Sequence, residues 1–262
     1  MKKIILITVL FFSLPIYSEE TREVSEIRAM LKQRTLFEEN EIENFIVLIQ
    51  KAKTSSLPEK ILINKIKEGI ARKAEYKVLY GVVSKKYDLL LLSKEMLSEQ
   101  YAKMIHVKDS NYSINMLSEL IEKGLNKEEY KYACSIALQN KMNMEETLRI
   151  CETILLLKEE KIEYAFIKEV IETVMKKKPD MGYLEYITKI IIEAKKMNIK
   201  QDEIREIVIN GINKGRNINS LRESVREAAS YGDLEIRQEN KEKKGEISEE
   251  LKKRQNDDKR KR

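Results

Sequence analysis

Apolar residues recur along the chain at the three- and four-residue spacing of amphipathic α-helices. One such stripe comprises Phe166, Ile167, Val170, Ile171, Val174 and Met175. A second stripe comprises Ile204, Ile207, Val208, Gly211 and Ile212. We predict about a dozen helices joined by short turns, and short turns make consecutive helices antiparallel neighbours.

Five helix starts are predicted where a capping side chain precedes a glutamate by three residues, the spacing of a capping box. The pairs are Asn40 with Glu43, Ser56 with Glu59, Asn126 with Glu129, Asn143 with Glu146, and Ser220 with Glu223. Glycine and proline are scarce and 36 % of residues are charged, which suits helices with solvated outer faces. The predicted fold is all-α, with antiparallel helical hairpins stacked in a degenerate solenoid-like or irregular array.

Weak internal repeats accompany this pattern. Gly69, Gly124 and Gly211 each precede an apolar residue close to a predicted helix end, at spacings of 55 and 87 residues. Because the spacings are unequal, they favour degenerate hairpins over a strict repeat.

The stretch 56–97 resembles an uncharacterised family of exported bacterial helical-hairpin repeat proteins. The matching residues are Leu57, Pro58, Leu62, Lys65, Glu68, Gly69 and Ala71, whereas Ser56 and Arg72 depart from the family pattern. The match covers about a sixth of the chain and implies an exported helical-hairpin fold, but no activity.

The opening segment has the anatomy of an export signal. Lys2 and Lys3 precede an uncharged apolar run, Ile4 to Leu14, that Pro15 ends. A membrane-spanning helix needs about 20 apolar residues, more than this run supplies. We predict cleavage between Ser18 and Glu19 and a periplasmic or secreted protein; the alternative is an uncleaved anchor. The predicted domains are the signal 1–18, a helical body 19–236 with a possible sub-boundary near 106–112, and the tail 237–262.

Most of the net positive charge of the chain lies in this tail. Residues 237–262 contain eleven lysines and arginines against seven acids, while the whole chain carries a net charge of +6. Too few apolar residues remain there to repay the cost of ordering. Its clusters could touch an anionic surface through Lys252, Lys253, Arg254, Lys259, Arg260, Lys261 and Arg262. The simpler alternative is a solubilising tail, and no nucleic-acid partner is expected because interleaved aromatic residues are missing.

Two cysteines lie on the apolar stripes of consecutive predicted helices. Cys134 and Cys151 stand about equally far from the turn predicted near Asn143, so an antiparallel hairpin sets them face to face. In an exported chain they form a possible disulfide. The alternative is a pair of small buried residues that happen to align.

No recognised catalytic motif accompanies these features. His106 is the only histidine and falls in a polar stretch, and several-ligand His and Cys zinc sites are excluded by count. Adjacent acids, such as Glu145 with Glu146 and Glu159 with Glu160, are predicted to lie at helix starts, where capping and solvation explain them better than a two-carboxylate hydrolase. No catalytic, cofactor-binding or metal site is predicted, and no cofactor is expected.

The sequence therefore favours an exported helical binding or scaffolding protein of the cell envelope, whose partner is an unknown envelope protein. Two alternatives stay open. One is an envelope- or peptidoglycan-active hydrolase that uses paired carboxylates, and the other is a protein that binds anionic surfaces through its tail.

Overall fold

A computed structural model describes residues 22–35, 37–178 and 180–230 of the chain, without the side chains of residues 100 and 101. Within these ranges the fold is entirely helical, as the apolar spacing predicts. The helices are α1 (Arg22–Arg34), α2 (Glu39–Thr54), α3 (Glu59–Ala71), α4 (Tyr76–Ser98), α5 (Gln100–Lys103), α6 (Ser110–Glu122), α7 (Lys127–Gln139), α8 (Met144–Glu159), α9 (Tyr164–Lys177), α10 (Met181–Lys196) and α11 (Gln201–Asn213). Residues 218–230 form a further helix, α12.

The predicted helix starts are right for two helices and wrong for three. Asn126 and Asn143 cap α7 and α8, and each makes the full capping box with the glutamate three residues on. In α2 the cap is Glu38 with Glu41, and α3 starts directly after Pro58. In α12, Asn217 accepts from the Ser220 amide, so Ser220 lies inside the helix.

Seven helices end in the same type of turn, the Schellman motif. A residue with positive φ follows the helix, and the next residue donates its backbone N–H to the carbonyl five residues earlier. The positive-φ residues are Ser56, Lys73, Gly124, Lys141, Lys161, Asn198 and Gly215. The residue after each is expected to be apolar and to pack back on its own helix.

The chain divides into two compact units between Tyr87 and Asp88, inside α4. In the first unit, α1, α2 and α3 all pack on one another. Its core includes Ile27, Leu31 and Phe45, which are fully buried. Phe45 also packs against the rings of Tyr76 and Tyr80, with centroids less than 6 Å apart.

In the second unit, helices pack on the next helix and also on the next but one. α7 packs on α8, α8 on α9 and α10 on α11, while α8 also contacts α6 and α10, and α9 contacts α11. This pattern buries one continuous core from Met96 to Val225 and is typical of stacked hairpins. The stretch 106–112 lies within this unit. None of the helices in the described ranges is long and apolar enough to cross a membrane.

Candidate anion-binding cleft

The turn between α11 and α12 departs from the other six Schellman turns at one position. The residue after the positive-φ position is Arg216, and it is exposed. The equivalent residues elsewhere are all apolar, and all but the half-buried Ala74 are buried: Leu57, Ala74, Leu125, Met142, Ile162 and Ile199. The backbone bond is unchanged, since the Arg216 amide donates to the Gly211 carbonyl at 2.9 Å. The turn therefore keeps its geometry and exposes a cation where its neighbours bury an apolar side chain.

The end of α9 brings two more cations to the same place. Lys177 closes α9, and Lys178 follows it. The Lys178 ammonium lies 5.1 Å from the centroid of the Tyr183 ring, a cation–π contact, and 3.9 Å from an oxygen of Asp180. Asp180 caps α10 by accepting from the Gly182 amide, so its carboxylate is already engaged.

These two connections line an open cleft with a volume of about 610 Å³, which we call the basic cleft. Its lining residues are Lys177, Lys178, Tyr183, Ile212, Asn213, Lys214, Gly215, Arg216, Asn217 and Ile218. Four of them are cations, none is a carboxylate, and Tyr183 and Ile212 supply buried apolar surface. The volume falls in the range of small-molecule sites, which combine apolar walls with a few polar groups.

The cations of the basic cleft differ in how they are held. The Arg216 guanidinium donates to the Ser224 hydroxyl at 3.0 Å, which directs it along α12. Lys177 and Lys214 make no ion pair with any residue in the described part of the chain. Burial raises the pKa of the Tyr183 phenol above its ordinary value.

Helix ends account for part of this charge. Lysines near a helix C-terminus interact favourably with its exposed carbonyls, which explains Lys177 and Lys214 one at a time. The interaction with helix-end carbonyls does not explain Arg216, because the six equivalent turns have an apolar residue at this position. Nor does it explain why two helix ends and their cations share one cavity.

Of the residues that the sequence singles out, the cysteines occupy facing helices. Cys134 lies in α7 and Cys151 in α8, both fully buried and both free thiols in this structure. Their pairing stays a prediction. The cleavage residues Ser18 and Glu19, the tail residues from Lys252 to Arg262 and the bounds of those two segments lie outside the described residues.

The other candidates serve local structure. His106 is exposed, and its carbonyl accepts from the Met144 amide at 2.9 Å. Glu145 and Glu146 lie in the first turn of α8, as predicted, and Glu146 belongs to its capping box. Glu159 and Glu160 instead lie at the end of α8, so the helix start predicted there is wrong, because α9 begins only at Tyr164. No group of three potential metal ligands occurs among the described residues.

Sequence reasoning missed the basic cleft. The available signal was the run Asn213 to Asn217, which is wholly polar apart from Gly215 at a helix end. Its importance appears only beside the six turns in which an apolar residue stands at the position of Arg216. Comparison with known proteins adds no further guide, because no protein-family model, curated protein or solved structure matches the chain.

Proposed function

We propose that the protein is an exported helical binding protein of the cell envelope, and that its basic cleft holds an anionic group of the ligand. The observation that carries the proposal is Arg216, an exposed arginine at a turn position that is apolar in six equivalent turns. Local departures from the rules of a fold concentrate at functional sites, because they cost stability without a structural return.

The ligand class follows from the lining of the cleft. Arginine presents several N–H donors in a planar fork that matches phosphate and carboxylate oxygens, while lysines add charge without fixed geometry. The buried ring of Tyr183 and the Ile212 side chain offer apolar contact beside these charges. The best ligand is therefore a small amphipathic anion, such as a phosphate monoester carried on an apolar or aromatic group.

Export supports an envelope location but rests on the opening segment alone. Lys2 and Lys3, the apolar run and Pro15 are its evidence. The binding role of the cleft does not depend on this location.

The proposal is tested by titrating the protein with 1-naphthyl phosphate, which joins an aromatic group to a phosphate. Calorimetry would give the affinity, and amide shifts in the NMR spectrum would locate the site. We expect saturable binding with shifts at residues 213–218, weaker at higher salt because screening reduces charge attraction. Absence of saturable binding, or shifts confined to other residues, would contradict the proposal.

A matched pair of variants isolates the cleft. Lys214 and Lys123 occupy the same helix-ending position with nearly identical backbone angles, and a positive-φ glycine follows each. Lys214→Gln combined with Arg216→Gln should weaken binding about ten- to a hundredfold, since hydrogen bonds to charged groups contribute about 1.5–3 kcal/mol. Lys123→Gln should leave the affinity unchanged. Equal affinities in the two variants would count against the cleft.

Deleting residues 237–262 separates this proposal from the tail hypothesis. If the cleft binds the ligand, affinity for 1-naphthyl phosphate should survive the deletion at low and moderate salt. If binding disappears with the tail, the tail is the anion-binding element and the proposal for the cleft fails.

A further inference from the structure

The register of the α7–α8 hairpin is set by a partly buried ion pair. The Lys158 ammonium lies 2.5 Å from a carboxylate oxygen of Glu129, whose side chain is only 6 % exposed. Glu129 is also the capping-box partner of Asn126, so it is held at the start of α7. The ion pair therefore sets the end of α8 level with the start of α7.

This register places the two cysteines at nearly the same level. Cys134 is five residues beyond Glu129 in α7, and Cys151 is seven residues before Lys158 in α8. At about 1.5 Å of rise per residue, the two differ in height by only about 3 Å. Both are fully buried, so both lie on inward-facing sides of packed helices.

The surroundings of the thiols support this proximity. The Tyr130 hydroxyl donates to the Met144 sulfur at 3.6 Å and also forms a hydrogen bond with Cys134, one turn on in α7. Burial, followed by the charge of Cys134 and then that of Glu129, raises the pKa of the Cys151 thiol. Burial also raises the pKa of Cys134, to about 12. The charge of Cys134 acts on the Cys151 thiol, as expected of two residues at one level on the packed helices α7 and α8.

We propose that Cys134 and Cys151 form a disulfide while the protein folds, before α7 and α8 have packed. Thiol–disulfide exchange requires a thiolate with access to its partner disulfide. In the packed hairpin both sulfurs are inaccessible and protonated, so a donor reaches them only in the unpacked chain. The inference is independent of the cleft, and its oxidant is a disulfide of a thiol oxidoreductase or of oxidised glutathione.

The exchange proceeds in two balanced steps. One cysteine thiolate attacks oxidised glutathione, forming a mixed disulfide and releasing one glutathione thiolate. The second cysteine thiolate then attacks the protein sulfur of that mixed disulfide and releases the other glutathione. Two electrons pass to the donor, and the two thiol protons end on the two released glutathione molecules.

The test compares two oxidations of the full chain, each with oxidised glutathione. In one, reduced protein is unfolded in denaturant and refolded with the oxidant present; in the other, folded reduced protein receives the same oxidant for the same time. After alkylation, tryptic peptides identify the linkage, since Lys141 and Arg149 separate the cysteines. We expect a Cys134–Cys151 link in most refolded molecules and at least tenfold less in the folded sample.

Two results would overturn the proposal. Glutathione adducts or intermolecular links in place of the Cys134–Cys151 peptide would show that the cysteines do not meet. Equal linkage in both samples would show that packing does not control the reaction.

A shifted thiol provides the matched control. Cys134→Ala with Ser135→Cys moves the thiol to the next, exposed position of α7. This variant should give glutathione adducts and no internal link, while circular dichroism checks that it remains helical. Addition of a reductant during thermal unfolding should lower the Tm of the linked protein and leave the shifted variant unchanged.

Discussion

At the residue scale, the turns depend on side chains in an unusual backbone conformation. Ser56, Lys73, Lys141, Lys161 and Asn198 all have φ between 49° and 60°. Glycine adopts this left-handed region without penalty, whereas other L-residues lose about 1–2 kcal/mol there. Five turns thus carry a local strain that packing of the apolar residue after each must offset.

Lys141→Gly should therefore stabilise the protein. Glycine removes the free-energy cost of the left-handed conformation, and this gain is larger than the entropy that glycine adds to the unfolded chain. The free energy of unfolding should rise by about 0.5–1 kcal/mol. Lys131→Gly is the control. Lys131 is exposed inside α7, so its replacement by glycine should lower the free energy of unfolding by about 1 kcal/mol. Urea unfolding monitored by circular dichroism measures both, and a destabilised Lys141→Gly protein would contradict this account.

At the element scale, two glycines allow adjacent helices to approach closely. A Cβ at Gly69 would lie 2.2 Å from a methyl of Leu79, and one at Gly211 would lie 2.1 Å from a methyl of Leu221. In both cases the leucine stands ten residues after the glycine, on the helix that follows the turn. Gly124 differs, because it is the turn residue itself, with φ of 102°. The three glycines that looked alike in sequence thus serve two separate purposes.

Gly211→Ala should destabilise the protein by about 1–3 kcal/mol, because the buried Leu221 must leave its position. Gly81→Ala is the control: it lies in α4 with nothing within 4 Å of the added Cβ, and it should gain about 0.5–1 kcal/mol. Denaturant unfolding gives both values. The double variant Gly211→Ala with Leu221→Ala should lose less stability than the two single variants lose together. Strict additivity would show that the contact between positions 211 and 221 does not limit the substitution.

The sequence predicts the helices well because apolar periodicity records which face of each is buried. The predicted N-caps Asn126 and Asn143 are also correct, since no other capping residue lies beside those helix starts. Asn40 and Ser220 fail because Glu38 and Asn217 start the helices two or three residues earlier, which leaves Asn40 and Ser220 inside them. The basic cleft was beyond prediction because Lys177 ends α9 and Arg216 follows α11, and packing between next-but-one helices leaves no local pattern.

At the scale of the whole molecule, the ends of the chain and its helical body have separate roles in our proposals. Residues 1–18 form the proposed export signal, and residues 237–262 carry a net charge of +4 by count. The cations of the basic cleft, in contrast, lie at the α9–α10 and α11–α12 connections of the helical body. Binding through the cleft and attraction through the tail are therefore experimentally separable.

Export predicts a definite mass for the protein isolated from fractionated cells. The mature chain should begin at Glu19 and occur outside the cytoplasm, because the opening run is apolar enough to direct export and too short to span a bilayer comfortably. Mass spectrometry of the intact protein measures this. Leu10→Arg should abolish processing by breaking the apolar run, and an unprocessed wild-type chain in the cytoplasm would refute export.

The turn at Arg216 also bears on how this chain would evolve. An apolar side chain there would pack on α11 as in the six other turns, so the arginine represents a sacrifice of stability for charge. Selection for heat resistance alone would favour its replacement by leucine or isoleucine. Selection that also required ligand binding would retain the arginine. Stabilising substitutions would then be expected at other positions, first at the positive-φ lysines of the remaining turns.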